Sequence, residues 1–366
     1  MKIYIFSVDD HNTTASYFKS ASKNMGFEVV YLSNNFDVRI IQEKDIFIYI
    51  DPVKDFPFFL EKIKCKTVAY FIDVHLALEQ RLIFSNFFDF IFIAQKNYIN
   101  FFNKHRKINK KVKKNNVFWL PLACDPKIHF KKKQKKTIDV SFIGQVNKIF
   151  SEERYNTINK VLKNFKTNNY KKFYKKEEIG KIYSSSKIVF NKSINKDLNM
   201  RFFEGLCSGA LLVTDELKNN VMGNLFSNRY HYISYYSSDD AIKKINYYLK
   251  NFSKRELIAK RGKNLVIKSH TYLKRLNTIL QITSKKNSKD SVKISPIRKM
   301  SPSQLSSEYA KVFLILRKPF RVIQLMFIYN FNFYLIIILF IAICRYINVI
   351  FPFTPNAIKN KINRVF

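Results

Sequence analysis

Residues 190–215 read FNKSINKDLNMRFFEGLCSGALLVTD, and this stretch decides the fold. An apolar strand ends at Asn191, a polar loop follows, a helix begins near Asn199, and the apolar run after Gly209 returns to a sheet. This order is typical of parallel sheets, whose strands are joined by crossover helices. Because α/β sheets bind ligands at the carboxyl ends of their strands, we expect a site at this loop.

The loop brings three polar side chains to the start of that helix. Helix N-termini offer unpaired N–H groups and a positive dipole to a phosphate, and Asn199 lies at this position. Arg201 adds a charge-assisted contact to a diphosphate, while Glu204 accepts hydrogen bonds and suits ribose hydroxyls. The alternative is that Arg201 and Glu204 form an ordinary surface pair, three residues apart on a helix.

The length of 366 residues predicts two domains and a tail, because single hydrophobic cores rarely grow so large. Short apolar runs alternate with polar, helix-length connections through the first third, and a second such series begins with DVSFIG at Asp139. The apolar runs are continuous, which favours parallel sheets buried on both faces. The predicted ranges are 1–125 for the first domain, 137–283 for the second, 284–310 for a flexible linker and 311–366 for a basic, apolar tail.

The linker and the tail are predicted from a change of composition. Residues 284–310 are rich in Ser, Lys and Pro, whereas residues 322–344 carry no charged side chain. Three alternatives are open for the tail: a transmembrane helix, a helix in the membrane interface with basic residues on anionic headgroups, or a soluble helix packed on the domains. A membrane contact is favoured. We expect an anionic membrane surface as a partner, and attachment to the inner face of the cytoplasmic membrane.

The formal net charge of +38 comes mostly from lysine. Such an excess indicates either an anionic partner or only a solvated coat of lysines. We predict no nucleic-acid partner, because the chain has no zinc-finger spacing, no aromatic RNA-binding motif and no basic recognition helix. The four cysteines lie far apart, which predicts neither a zinc site nor disulfides and fits a reduced, cytoplasmic setting. The first residues also lack the apolar run of a secretory signal.

The motif NMRFFEGLCSGALLVTDE at 199–216, with the segment that follows it as far as HTYLKRL at 270–276, resembles a known family. It is similar to the C-terminal domain of the CgeB-like (spore maturation protein) glycosyltransferases, relatives of the GT-B enzymes of glycosyltransferase families 1 and 4. Further matching motifs in the family's order are YFIDVH at Tyr70, DFIFIAQ at Asp89, WLPLACDPKIH at Trp119 and DVSFIGQ at Asp139. The resemblance therefore spans roughly residues 1–280.

The resemblance implies a GT-B type α/β fold, with two Rossmann-like domains facing a cleft, to which the C-terminal apolar helical tail is added. It implies a glycosyltransferase that moves a sugar from a nucleotide-diphosphate sugar to a glycan, lipid-linked or protein acceptor. The tail favours cell-envelope polysaccharide synthesis. The nucleotide sugar is a co-substrate, so no cofactor is expected, and the absence of a DxD motif near a strand end implies no metal on the donor phosphate. The alternatives are a catalytically degenerate GT-B-fold protein that binds a nucleotide or glycan, and a basic membrane-associated scaffold.

Carried over residue by residue, the resemblance also implies donor-binding roles. Glu204 matches the second glutamate of the family's paired-glutamate motif, which contacts the nucleotide ribose. The other residues expected near the donor are Gly144, Asn199, Arg201, Thr214 and Asp215. Gly144 is expected to let the chain approach the nucleotide closely. Charge on the leaving diphosphate would be met by Arg201, by helix N–H groups and by Lys148 or Arg154.

One position departs from the family. The first glutamate of the pair falls at Lys196, eight residues before Glu204. Either Asp197 takes its place after a shift of one residue, or the donor sugar is held differently, or activity has decayed.

The catalytic candidates lie in the first domain, where Asp73 and His75 end the strand VAYFID. His75 is expected to act as a base or hydrogen-bond donor near the transferred sugar, with Asp73 orienting it. The alternative is a structural histidine. Asp9 and Asp10 are weaker candidates for acceptor contact. In the second domain, His270 and Arg275 are expected to lock a C-terminal helix.

Overall fold

The structure is a computed structural model, and it describes residues 1–7, 13–32, 36–51, 56–104, 116–130, 134–149, 151–217, 222, 224–284, 295–329 and 333–350. Asp9 and Asp10 lie outside these described residues, so their predicted role stays a prediction.

The first domain is built on a parallel sheet. Its strands are β1 (Lys2–Phe6), β2 (Glu28–Leu32), β3 (Ile46–Ile50), β4 (Lys66–Phe71), β5 (Phe90–Ile93) and β6 (Val117–Trp119), in the order β2-β1-β3-β4-β5-β6. β3 is buried along its whole length, because Phe47 and Tyr49 pack on one side of the sheet and Ile46, Ile48 and Ile50 on the other. Burial on both faces explains the continuous apolar runs of the sequence.

The second domain repeats this plan with a smaller parallel sheet. Its strands are β7 (Ile138–Ser141), β8 (Ser186–Asn191), β9 (Leu211–Asp215) and β10 (Ile233–Tyr235), in the order β10-β9-β8-β7. The loop after β8 ends at Asn199, whose side chain accepts a hydrogen bond from the Phe202 N–H at 3.1 Å and so caps the next helix. The helix start predicted at Asn199 is confirmed.

Helices cover both sheets. They are α1 (Thr14–Asn24), α2 (Leu78–Phe84), α3 (Ile99–Lys104), α4 (Pro126–His129), α5 (Glu152–Leu162), α6 (Lys176–Ser184), α7 (Met200–Cys207), α8 (Ser238–Lys250), α9 (Phe252–Ser269), α10 (Tyr272–Ser284), α11 (Pro302–Ile315), α12 (Pro319–Ile328) and α13 (Phe333–Ile350). The two-domain α/β plan expected from the sequence is thus present among the described residues.

α10 returns from the second domain and is fastened to the segment that follows β6. The Arg275 guanidinium donates to the carbonyls of Pro121 (Nε, 2.7 Å) and Leu122 (Nη2, 3.1 Å). Its Nη2 also lies 2.9 Å from His270 Nδ1, and burial lowers the pKa of His270 to about 4. A neutral imidazole can accept this hydrogen bond. These are the contacts expected of residues that lock a C-terminal helix.

Residues 295–310, for which composition predicts a flexible linker, instead fold against the first domain. Ser295 donates its N–H to Asp89 Oδ1 at 2.7 Å, and Arg298 donates from Nη2 to Asp89 Oδ2 at 2.9 Å. The same carboxylate also accepts the N–H and hydroxyl of Thr67 in β4. The prediction is wrong here because a buried carboxylate, distant in sequence, binds the start of this segment to the first domain.

α11, α12 and α13 pack their inner faces on the same core. α11 opens with a capping box between Ser301 and Gln304, a local signal that the composition of the segment conceals. Farther along α11, the Tyr309 hydroxyl donates to Glu61 at 3.0 Å and accepts from the Leu60 N–H at 2.9 Å. The inner faces of these helices are therefore packed on the protein. This is one of the three alternatives given for the tail, a helix packed on the domains.

No membrane span is found in the described part of the chain: none of its helices is both long and apolar enough. The end of the predicted tail, residues 351–366, lies outside the described residues.

We expect Arg298→Ala to destabilise the protein by about 2 kcal/mol, because the buried Asp89 carboxylate loses a charge-assisted hydrogen bond. The measurement is the urea unfolding midpoint. Lys299→Ala is the matched control, since it removes the same charge from an exposed neighbour. Equal, small shifts in both variants would contradict the role given to Asp89.

Candidate functional site

Three of the predicted donor-binding residues meet at one buried side chain, that of Asn191 at the end of β8. Its Oδ1 accepts from Arg201 Nη1 at 2.8 Å and from Asn199 Nδ2 at 3.1 Å. Its Nδ2 donates to Thr214 Oγ1 at the end of β9, at 2.9 Å. Asn191 is fully buried, so this network fixes the start of α7 relative to two strands. From the sequence, Asn191 was expected only to end a strand.

Arg201 is held in a fixed orientation beside Gly144. Its Nε donates to the Ile143 carbonyl at 2.6 Å, and its guanidinium lies 4.2 Å from the centre of the Phe142 ring. A Cβ placed on Gly144 would come within 1.9 Å of Arg201 Nη2. Glycine is therefore required here because the guanidinium occupies the side-chain position, which differs from the predicted reason of close approach to the nucleotide.

Glu204 is buried rather than paired with Arg201 on a surface, so the surface-pair alternative is wrong. Its Oε1 lies 3.4 Å from His129 Nε2, and the Tyr17 hydroxyl lies 3.2 Å from the same nitrogen. The Asp125 N–H donates to His129 Nδ1 at 3.0 Å, which assigns the proton of a neutral ring to Nε2, facing Glu204. Burial raises the pKa of Glu204 to about 7, against the opposing charge of Arg201.

Glu204 and Gly144 line the same cavity, of about 370 Å³. Its wall carries aromatic rings and ammonium groups close together, from Tyr17, Lys171, Lys172, Phe173, Tyr174 and Lys176. Five of these residues come from the sequence YKKFYKK at 170–176, whose alternation of basic and aromatic residues was a signal that sequence reasoning missed. Such a surface suits an anionic ligand with a flat ring.

A second pair of predicted residues meets where the two domains face each other. His75 follows β4, and its Nδ1 lies 3.6 Å from Asp197 Oδ2 in the loop after β8. Both side chains are largely buried, at 12% and 6% exposure. Neither ring nitrogen of His75 has a hydrogen-bond partner within the described residues. Burial raises the pKa of Asp197, while His75 acts in the opposite direction.

The predicted pairing of Asp73 with His75 is not what the structure shows. Asp73 is exposed, in a left-handed conformation with φ of 47°, and Asp197 is the carboxylate that faces His75. The backbone explains why Asp197 is inside: Lys196 adopts φ of 50° and is exposed, which turns the following residue inward.

Asp215 supports this loop. Its carboxylate accepts from the Ser193 N–H at 2.8 Å and from the Ser193 hydroxyl at 2.6 Å. Lys192 Nζ lies 3.9 Å away. Asp215 therefore positions the loop that carries Asp197 and is itself fully occupied by protein contacts.

Lys148 and Arg154, the two other cations expected near the leaving diphosphate, differ in burial and in their partners. Lys148 is exposed and pairs with Glu152 at 2.7 Å. Arg154 is buried and donates to the carbonyls of Lys192 and Gln145. Arg154 thus holds two loops of the site together, while Arg201 lies against Gly144, which lines the cavity. In the described part of the chain, no group of three or more His, Cys, Asp or Glu side chains is placed to hold a metal ion.

Comparison with known proteins bears on the same region. Residues 129–281 match the family model described as "Glycosyl transferase-like". The second domain is thus similar in sequence to this family. The match begins at His129, the residue that faces Glu204, and ends within α10. Among curated proteins, no sequence matches this chain.

Solved structures show the same fold over both domains. HepE from Anabaena, in complex with UDP, has a TM-score of 0.55 at 10% identity, over 78% of this chain and 100% of its own. T4 phage BGT with UDP and Mn²⁺ has a TM-score of 0.55 at 14% identity, with the same coverage. A glycosyltransferase from Rickettsia africae has a TM-score of 0.51 at 9% identity, over 78% of this chain and 99% of its own. These similarities confirm the GT-B type fold.

We expect the stability of the protein to depend on pH through Glu204. Its pKa is raised by burial, so folding favours the protonated form, and this stability is lost as pH rises from about 4.5 to about 7. Glu204→Gln removes the effect. Over that pH interval, the free energy of unfolding of the variant should rise by about 3 kcal/mol relative to that of wild type, at roughly 1.4 kcal/mol per pKa unit.

The measurement is the urea unfolding midpoint as a function of pH. Glu43→Gln, at an exposed glutamate, is the control and should follow wild type. A Glu204→Gln profile parallel to that of wild type would show that the carboxyl is not buried as described.

Proposed function

We propose that this chain is a CgeB-like glycosyltransferase, which moves a sugar from a nucleotide-diphosphate sugar to a glycan, lipid-linked or protein acceptor. We place it in cell-envelope polysaccharide synthesis, on the cytoplasmic side of the membrane, with no cofactor and no metal on the donor. The proposal rests mainly on one observation: Gly144 and Glu204 line one cavity beside the N-terminus of α7. Because HepE and BGT are described in complex with UDP, uridine nucleotides are the first donors to test.

In the donor complex, the ribose hydroxyls donate to the Glu204 carboxylate, which the neutral His129 ring orients from the other side. The base lies among the aromatic rings of the cavity wall. The diphosphate lies at the N-terminus of α7, next to the Arg201 guanidinium. Negative charge that develops on the departing diphosphate is then stabilised by groups already in place.

The transferred sugar lies between the two domains, next to His75 and Asp197. The bond from the anomeric carbon to the diphosphate oxygen breaks, and a bond to the acceptor oxygen forms, through an oxocarbenium-like sugar and with retention of configuration. Asp197 takes the place of the missing glutamate and accepts hydrogen bonds from sugar hydroxyls. The proton of the acceptor hydroxyl passes to His75 acting as the base or, where His75 only donates a hydrogen bond to the sugar, to the departing diphosphate.

We expect Gly144→Ala to weaken UDP binding by at least about tenfold, because the new methyl group displaces Arg201 from its contacts and removes a charge-assisted hydrogen bond. Calorimetric titration measures the affinity. Gly26→Ala is the matched control, since Gly26 also has positive φ, at +80°, but open space around it. UDP affinity unchanged in Gly144→Ala would remove Arg201 from the donor site.

The catalytic role of His75 and Asp197 is tested by a substitution of Asp197. Asp197→Asn should lower kcat for donor hydrolysis or transfer about 100-fold while UDP affinity changes little, and Lys196→Ala, its exposed neighbour, should leave kcat nearly unchanged. A large loss of kcat in Lys196→Ala, with little change in Asp197→Asn, would instead mean that Lys196 holds the sugar. Tight UDP binding by wild type with no turnover of any nucleotide sugar would favour the catalytically degenerate alternative.

A further inference from the structure

The C-terminal helices α12 and α13 expose large apolar side chains. On α13, Phe340 is 69% exposed, and Ile336 and Ile343 lie on the same side of the helix at spacings of four and three residues. On α12, Phe327 is 85% exposed, and Phe320 lies seven residues before it on the same side. We call these outward residues, together with Ile337, the apolar face of α12 and α13.

Contacts within the protein do not explain why these exposed residues are apolar. The opposite side of α13 is already buried in the core of the first domain, through Leu335, Ile338 and Ala342. A helix that only covers a domain has a polar outer side, whereas every residue of α13 described as exposed is Ile or Phe. Exposed apolar surface of this kind marks a binding surface.

The charge of the region indicates what binds there. From Arg317 to Phe366 the chain contains seven Lys or Arg residues and no Asp or Glu. Arg317, in the turn between α11 and α12, is exposed. Apolar rings together with cations, without carboxylates, fit an anionic lipid surface. A second copy of the chain is a poorer fit, because two chains of formal charge +38 repel each other.

We propose that the apolar face of α12 and α13 docks on an anionic phospholipid bilayer and lies in its interface. Phe327, Phe340 and their neighbours enter the boundary between headgroups and acyl chains, while the basic residues contact lipid phosphates. This assignment stands on exposure and charge, and only its consequence for the acceptor rests on the proposed function.

Docking also has a consequence for the site. α11 packs against α2, and α2 begins three residues after His75. The lipid-bound helices are therefore attached to the domain that would hold the acceptor. A bilayer at this surface brings a lipid-linked acceptor to the His75 side of the protein.

The test is co-sedimentation of the full chain with vesicles. Wild type should bind vesicles of equal parts phosphatidylcholine and phosphatidylglycerol, bind pure phosphatidylcholine much less, and dissociate as salt is raised. Phe327→Glu combined with Phe340→Glu should lower binding at least tenfold. Phe252→Glu combined with Leu257→Glu is the matched control, with exposed apolar residues of α9, and should bind as wild type does.

A second measurement uses a milder change. Phe340→Trp should show fluorescence quenching by brominated lipid, and Leu257→Trp should not. The proposal is overturned if wild type ignores anionic vesicles, if both double variants lose binding equally, or if Phe340→Trp is not quenched. It is also overturned if wild type dimerises in solution and the Phe327→Glu, Phe340→Glu variant is monomeric, since a second copy then covers this face.

Discussion

The geometry of the proposed donor site depends on one constraint, the fixed position of the Arg201 guanidinium in the space that Gly144 leaves empty. A backbone carbonyl, the Asn191 amide and the Phe142 ring each restrain it from a different direction. Because Asn191 also binds the cap of α7 and Thr214, the guanidinium, the helix N-terminus and two strand ends form one unit. A charge held in this way needs little reorganisation when an anion binds.

Both proposed functional carboxylates lie opposite a histidine from another part of the fold. Glu204 faces His129, from the short helix that precedes the second domain, and Asp197 faces His75, from the first domain. Tyr17 extends the first contact into α1. The relative position of the domains therefore sets the environment of both carboxylates, and closure of the domains on a donor would act on them directly.

The sequence predicted what depends on local pattern. Parallel strands and the cap at Asn199 follow from neighbours in the chain. Gly144 was expected at the site, but the Arg201 guanidinium that requires a glycine there comes from a distant part of the sequence. It did not predict partners brought together from far apart, such as His129 with Glu204 or Asp197 with His75. Asp73 was expected beside His75 because both end one strand, but its left-handed backbone leaves it exposed.

The C-terminal segment shows the same limit. Its Ser- and Lys-rich composition predicted a linker, yet the segment donates hydrogen bonds to Asp89 and Glu61 of the first domain. Composition alone does not reveal a buried partner more than 200 residues away in sequence.

We propose that the cavity lined by Gly144 and Glu204 holds the nucleotide of a sugar donor. A crystal structure of the protein with UDP would locate the nucleotide. We expect ribose hydroxyls within hydrogen-bond distance of the Glu204 carboxylate and the diphosphate next to Arg201 at the start of α7. UDP bound elsewhere, with His129 still the nearest polar neighbour of Glu204, would contradict it.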